Sequence, residues 1–436
     1  MFERPRRGER AILVHITITS FKEQATLEEF AELAKSAGVV TVMQVTGTRK
    51  VPDSGYFIGT GKLEELKALV IAHQVEVVLF NHTLTPSQER NLEQALECRV
   101  LGRTGVILDI FAQRARSAEG KLQVELAQLQ YLSTRLIRGW THLERQRGGI
   151  GLRGPGETQL ETDRRLLSER IKYLQKRLEK VSQQREISRK ARQRAELSVV
   201  SLVGYTNAGK STLFNSLTHS SVYTADQLFA TLDATLRRVT LVDKTSFILA
   251  DTVGFIQQLP HDLVAAFRAT LEETRQASLL LHVVDATDPE RDLRIEQVNQ
   301  VLTEIDAGSI PQILVYNKID QLTDYSARLE RPPEFHKTTK IWLSALRHEG
   351  LELLKTAIAE YLSTDLVQRW VRLPTPAGQL RARLYSLGTV LQERYEEHDM
   401  TVLEVQISER TLTQLLHSTA ELKVVEGNGY SQNQLN

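Results

Sequence analysis

Cysteine occurs once in the 436 residues, as Cys98, which excludes an intramolecular disulfide framework and any zinc site built on several thiolates. Long apolar runs are missing too. The longest, such as Ser278-Leu-Leu-Leu-His-Val-Val284, are of strand length against the ~20 residues a membrane span needs. The basic start Met1–Arg7 leads into Ala11–Thr19, which alternates polar with apolar and has no small-residue cleavage site. It reads as a strand, in a cytoplasmic protein without an integral membrane segment, peripheral membrane association being left open. What is present is ordinary in bulk: 41% hydrophobic and 25% charged residues rule out a disordered or fibrous chain. At about 150 residues per domain the length implies about three units, here expected as a monomer.

Charge is uneven. Residues 114–194 hold 20 Lys and Arg against 9 Asp and Glu, a surplus of eleven that leaves the rest of the chain at minus ten. Such a stretch, without the aromatic-rich apolar face of an interfacial helix, points to nucleic acid before membrane.

Four segments follow from the periodicities. Residues 1–115 read as a small α/β domain, with strands at Ile12–Thr19, Val39–Gly47, Val75–Phe80 and Arg99–Leu101 and helices at Leu27–Ala37, Lys62–His73, Pro86–Leu96 and Gly105–Ala115. Within it Gly59-Thr-Gly-Lys62 lacks phosphate-loop spacing and reads as a turn before a helix. Residues 116–196 read as a basic helical hairpin. Leucines at 122, 126, 129, 132 and 136 lie on one helical face, and Leu167, Ile171, Leu174, Leu178 and Val181 repeat as the seam of an antiparallel pair over Thr158–Ala195. The tip is Arg147–Glu157, with five glycines and a proline. Glycine lets a backbone approach closely and arginine carries charge for phosphate, so Arg147, Gly149, Gly151, Arg153, Gly154 and Gly156 are the candidate RNA contacts. Residues 197–367 alternate β with α, and 368–436 read as a small α+β unit with a hairpin over Thr389–Ser408, a helix over Glu409–His417 and a polar tail.

The chemistry sits in the third segment. Strand Ser198–Val203 runs into Gly204, Tyr205, Thr206, Asn207, Ala208, Gly209, Lys210 and Ser211, a complete P-loop in its strand-loop-helix context. Loop amides should cradle phosphates, Lys210 should reach the β- and γ-phosphates, and Ser211 should ligate Mg²⁺. A second strand ends in Asp251, Thr252, Val253 and Gly254, where Asp251 can hold the metal through water and the Gly254 amide can sense the γ-phosphate. A third ends in Asn317, Lys318, Ile319 and Asp320. An aspartate there accepts two protons that guanine offers and adenine does not, so GTP is expected over ATP. Ser344, Ala345 and Leu346 follow a fourth strand and can present an amide to the guanine oxygen. The order and spacing resemble the motifs of translation-factor-related GTPases. Between the first two motifs, Thr231, Thr235 and Thr224 compete as the switch threonine that binds Mg²⁺ and the γ-phosphate. Lys210, Thr231 and Gly254 are the catalytic candidates. Phe255 stands where many GTPases place a water-orienting glutamine, and a phenyl ring cannot orient water.

The stretch Gly148-Gly-Ile-Gly-Leu-Arg-Gly-Pro-Gly-Glu-Thr-Gln-Leu-Glu161, followed by the GTPase segment, resembles the glycine-rich signature of the HflX family of ribosome-associated GTPases. The likeness extends through the N-terminal domain, the hairpin, Leu228-Phe-Ala-Thr-Leu-Asp233 and Asp251-Thr-Val-Gly-Phe255. It implies that Thr231 is the switch threonine, with Phe229, Ala230, Leu232 and Asp233 beside the nucleotide. It further implies binding to the large ribosomal subunit, with the loop towards ribosomal RNA, and separation of stalled ribosomes into subunits under stress. Asn207 matches the asparagine that accompanies K⁺ activation in related GTPases, although turn geometry alone also suits it. Ala234 and Leu346 depart from the family's usual proline and lysine. An RNA-binding assembly factor using GTP as a docking switch, and a regulatory GTPase acting on a protein or a membrane protease, are the rival readings.

Overall fold

Strand β1 (Arg10–Ile18) buries Ala11 and Leu13 on one side and Ile12, Val14, Ile16 and Ile18 on the other, the pattern of a parallel strand covered on both faces. The computed structural model describes residues 8–20, 26–139, 155–194, 198–218, 228–241, 246–256, 268–331, 338–364, 366–387, 389–396, 399–408, 412, 415, 416, 419 and 422–425. These fall into two compact units. One reaches Arg185 and resumes over Val199–Arg237 and Leu249–Glu349; the other takes Glu186–Ser198, Arg238–Ile248 and the chain from Gly350 on.

In the first unit, β1 pairs in parallel with β2 (Val40–Arg49) and β3 (Val77–Phe80), and β3 with β4 (Arg99–Gly102), in the order β2-β1-β3-β4. Helix α1 (Leu27–Ala37) starts where Thr26 accepts the Glu29 amide at 3.2 Å and stops at Gly38, whose φ of +86° suits glycine. Helix α2 (Thr60–His73) follows the Gly59 turn, and α3 (Pro86–Leu96) opens on a reciprocal cap between Thr85 and Gln88 with Pro86 in its first turn. Helix α4 (Arg103–Arg114) begins two residues before the Gly105 expected from sequence. Arg103 is buried there because Glu29 and Asn81 both receive its guanidinium, the latter at 2.8 Å.

Two histidines are built into this domain as neutral rings. His82 Nε2 accepts the Ile16 amide at 3.1 Å, and His15 stacks on His82 with centroids 5.6 Å apart. Burial, reinforced by His15 and Arg103, pushes His82 down to about 4. The unfolded chain therefore binds a proton that the folded chain refuses. Stability is complete above the ordinary histidine value of ~6.5 and is lost as pH falls from there towards 4. Urea unfolding at pH 7.5 and pH 5 should differ by about 1–2 kcal/mol through this ring, and His82→Gln should remove that part of the difference. An unchanged pH slope in the variant would show that His82 is not its source.

Helices α5 (Ala118–Gly139) and α6 (Pro155–Arg194) form the hairpin arm. Leu122, Leu126 and Leu174 bury together, with Leu129, Ile171 and Leu178 packed around them, which is the seam expected from sequence. Helix α6 starts earlier than Thr158 because Pro155 sits in its first turn, where a missing amide costs nothing. Gly156 is therefore helical. Arg147, Gly149, Gly151, Arg153 and Gly154 lie outside the described residues. Away from the seam α6 exposes Arg165, Lys172, Lys176 and Lys180, with Glu169 and Glu179 among them.

The nucleotide segment is a doubly wound sheet. Strands β5 (Ser198–Val203), β6 (Thr235–Thr240), β7 (Ser246–Asp251), β8 (Leu279–Asp285), β9 (Gln312–Asn317), β10 (Arg328–Glu330) and β11 (Thr339–Trp342) lie in the order β10-β11-β9-β8-β5-β7-β6. Helices α7 (Lys210–Thr218), α8 (Arg268–Arg275) and α9 (Arg291–Glu304) connect them. Ligands in such sheets bind outside the carboxyl ends of the strands, and the motifs leave those ends.

In the second unit, helix α10 (Leu351–Thr364) precedes an antiparallel sheet of β12 (Leu366–Pro374), β13 (Thr389–Glu396), β14 (Met400–Ser408) and β15 (Lys423–Val425), ordered β13-β14-β12-β15, with α11 (Gly378–Leu387) inserted. The hairpin expected over Thr389–Ser408 is present. Strand β12 begins at Leu366, ahead of the boundary expected at 368. Of the expected helix 409–417 only Leu412, Leu415 and Leu416 are described, and the tail lies outside the described residues.

Candidate nucleotide site

The loop after β5 takes its shape from two glycines. Gly204 has φ +142°, and a Cβ there would lie 2.2 Å from the Val283 carbonyl; Gly209 has φ +91°. Asn207, at φ +61°, is exposed between them, in a conformation asparagine tolerates better than most residues. Lys210 opens α7 and folds back, its Nζ donating to the Gly204 carbonyl at 3.0 Å and the Tyr205 carbonyl at 2.5 Å. Burial pushes this amine down to about 8, against the pull of Asp251. Thr206, Asn207, Gly209, Lys210, Ser211, Phe229, Ala230, Thr231, Thr252 and Gly254 border a cavity of about 70 Å³.

At one corner of that cavity three oxygen-bearing side chains meet. Ser211 Oγ and Thr231 Oγ1 lie 2.8 and 2.9 Å from Asp251 Oδ2 and 2.7 Å from each other. Each hydroxyl brings one proton, so an ionised Asp251 leaves three close contacts with two protons to fill them. Asp251 Oδ1 is buried with no hydrogen-bond partner among the described residues. Burial drives the Asp251 carboxyl upward despite its two hydroxyl donors. A hard cation among these oxygens relieves both the proton deficit and the orphaned oxygen, and an all-oxygen set suits Mg²⁺. Of the competing threonines, Thr231 stands at this corner, Thr235 begins β6, and Thr224 lies outside the described residues.

Gly254 faces the same cavity, where a Cβ would come within 2.9 Å of Thr206 Cγ2 and 3.0 Å of Lys210 Nζ. The next residue, Phe255, is pinned by its backbone to the P-loop: its amide donates to the Gly204 carbonyl at 3.1 Å and its carbonyl accepts the Thr206 amide at 2.8 Å. Its ring packs with Val203, Leu271 and Leu280. On the base side Asn317 joins two loops, Nδ2 donating to the Ala208 carbonyl at 3.0 Å and Oδ1 accepting the Ala345 amide at 2.9 Å. Ser344 Oγ donates to Asp320 Oδ1 at 2.6 Å, Lys318 pairs with Asp285 at 2.7 Å, and Leu346 is 70% exposed.

Several residues that the sequence reading placed around the nucleotide turn their side chains elsewhere. Leu232, Val253 and the ring of Phe229 join the core of the N-terminal domain, where Phe229 meets Phe111 edge-on with centroids 4.7 Å apart. Asp233 accepts from the Arg116 and Ser117 amides at 2.9 and 2.7 Å. Ile319 packs with Tyr316 and Trp342. Tyr205 donates its hydroxyl to Glu29, and Arg294 reaches both, 2.9 Å from Tyr205 Oη and 3.6 Å from Glu29. Of these residues Phe229 still borders the cavity beside Lys210. Glu29, Arg294 and Asp285 carried no motif signal.

Three family models match in sequence order: residues 24–112 one described as GTP-binding GTPase N-terminal, 114–192 one described as GTP-binding GTPase Middle Region, and 199–318 one described as 50S ribosome-binding GTPase. The GTPase HflX of Escherichia coli K12 is 58% identical over 407 residues, 93% of this chain and 95% of its own. The chain belongs to the HflX GTPase family. A second HflX GTPase, from Magnetococcus marinus, is 46% identical over 420 residues, covering 95% and 96% of the two chains. A crystal structure of SsGBP with GDP covers 80% of this chain and 98% of its own at 26% identity, with a TM-score of 0.46. As an HflX GTPase the chain is a GTP hydrolase with a P-loop GTPase fold, behind a separate N-terminal domain and ahead of a strand-rich C-terminal unit. Among the described residues no helix is long and apolar enough to cross a membrane.

Proposed function

We propose that this HflX GTPase binds the large ribosomal subunit through its arm and couples GTP hydrolysis to separating stalled or stressed ribosomes into subunits. The observation that carries the reading is the arm itself, with a packed leucine seam on one side and four exposed Lys and Arg on the other; the sequence between its two helices is rich in glycine and arginine. The description of the matching family model, 50S ribosome-binding GTPase, supports the same partner, and the E. coli relative the same family.

In this reading Ser211 and Thr231 ligate Mg²⁺ and Asp251 holds it through water. When bound, the ion supplies positive charge to the phosphate oxygens. Lys210 releases its loop carbonyls to meet the phosphates, and the P-loop amides cradle them. The Gly254 amide follows the γ-phosphate, so its loss frees the segment beyond. Asp320 selects guanine, with Asn317 and the Ala345 amide holding the base loop in place. Asn207 is the candidate K⁺ ligand. The buried ring of Phe255 offers no group to orient water, and that one observation favours a variant in which GTP acts mainly as a docking switch until the ribosome supplies what is missing.

Sedimentation with purified subunits tests the proposal. Replacing Arg147 and Arg153 with alanine should lower affinity for the large subunit about tenfold near physiological salt, flatten its salt dependence, and leave GTP affinity of the free protein unchanged. Deleting Gly148–Gly156 should abolish subunit separation. A deletion variant that separates subunits at the parental rate returns the arm to a structural role, and hydrolysis that large subunits fail to stimulate leaves only the docking switch.

A further inference from the structure

Six residues of the switch, Leu228–Asp233, form a strap that is fastened at both ends to the N-terminal domain and its junction with the arm. At one end the Leu228 amide donates to Ser36 Oγ on α1 at 3.1 Å. At the other, Asp233 Oδ2 accepts the Arg116 and Ser117 amides and Oδ1 accepts Ser117 Oγ at 2.5 Å. Between them Leu228, Phe229 and Leu232 are buried with Phe111, and Thr231 points the other way, into the corner with Ser211 and Asp251. The second fastening falls where α4 ends and α5 begins, at residues 115–117, the joint between the N-terminal domain and the arm. Ser117 caps α5, accepting the Gly120 amide at 2.8 Å, and the Asp233 carboxylate lies against that helix N-terminus, where negative charge is favoured. A Cβ on Gly120 would sit 2.1 Å from Asp233 Oδ1, so the fit needs glycine at that position.

We infer that Asp233 is a positioning residue: by binding the Arg116–Ser117 turn that leads into the arm's first helix it holds Thr231 at the metal corner, so that the seating of the arm and the seating of Thr231 rise and fall together. The inference rests on the reading of Thr231 as a metal ligand. Gly120→Ala in the full chain displaces Asp233 while leaving every residue of the nucleotide site intact. It should lower turnover about fivefold, the net worth of one such hydrogen bond, and raise the Mg²⁺ concentration for half-maximal turnover by a similar factor. GDP affinity should not move. Asp233→Ala should do the same, and Asp233→Asn, which keeps one acceptor for the two amides, should recover most of the turnover. Deuterium exchange at the Arg116 and Ser117 amides should be slower with a non-hydrolysable GTP analogue than with GDP in the parent, and equal in Gly120→Ala. Thr231→Ala separates the two levels. If it leaves the Mg²⁺ requirement unchanged, the metal assignment falls and the strap with it. If it damages turnover while Gly120→Ala keeps parental turnover and Mg²⁺ dependence, only the strap is overturned.

Discussion

Gly209→Ala should cost the protein its nucleotide. At φ +91° an alanine already carries the penalty of a left-handed conformation, about 1–2 kcal/mol. The larger effect is steric, because the new methyl would lie 2.2 Å from Asn317 Nδ2. Asn317 cannot move away cheaply: it holds the Ala208 carbonyl with one side-chain atom and the Ala345 amide with the other, both buried. Displacing it leaves two buried backbone groups unpaired and loosens the phosphate loop and the base loop at once. GTP and GDP affinity should each fall by about two orders of magnitude or more, while the fold survives. Titration with a fluorescent guanine nucleotide reads this directly, and parental affinity in the variant would mean that Asn317 is not the link between the loops.

Asp320→Asn should change which base is bound and spare the phosphates. The carboxylate accepts from Ser344 Oγ at 2.6 Å, which fixes its plane, and it is available to take the two protons of guanine's Watson–Crick edge. An amide presents one acceptor and one donor, so guanine meets a mismatched buried group and xanthine, with a carbonyl where guanine has its amine, meets a matched one. GTP affinity should drop by roughly 10²- to 10⁴-fold and xanthosine triphosphate should become the better ligand. Competition between the two triphosphates measures the switch. A variant that still prefers GTP would place guanine selection elsewhere.

Sequence reading succeeded where the determinants are local. Helices α1 and α3 have the bounds expected of them because Thr26, Gly38, Thr85 and Pro86 act on amides and carbonyls within a few residues. The loop Gly204–Ser211 was legible for the same reason. The orientation of side chains inside motifs was not. Phe229, Leu232, Asp233 and Val253 sit in motifs that border the Lys210 cavity, yet their side chains pack against or bond the N-terminal domain and its joint with the arm. Their partners are remote: Asp233 meets Ser117 across 116 positions, Tyr205 meets Glu29 across 176, and Leu228 meets Ser36 across 192. No periodicity within a motif carries that information. The early start of α4 was missed on the same ground, since Arg103 is made tolerable in the core only by Glu29, 74 residues upstream.

The cap at the base of the arm has a geometric consequence. Helix α5 runs 22 residues from it, about 33 Å at 1.5 Å per residue. Its far half is held as well: Arg135 Nε donates to Glu89 on α3 at 2.6 Å and Tyr131 Oη to the same carboxylate at 3.3 Å. A helix clamped at both ends cannot swing alone: in the proposed coupling, a shift at Asp233 would carry α5 and the N-terminal domain together as one body, so the joint transmits position and not leverage.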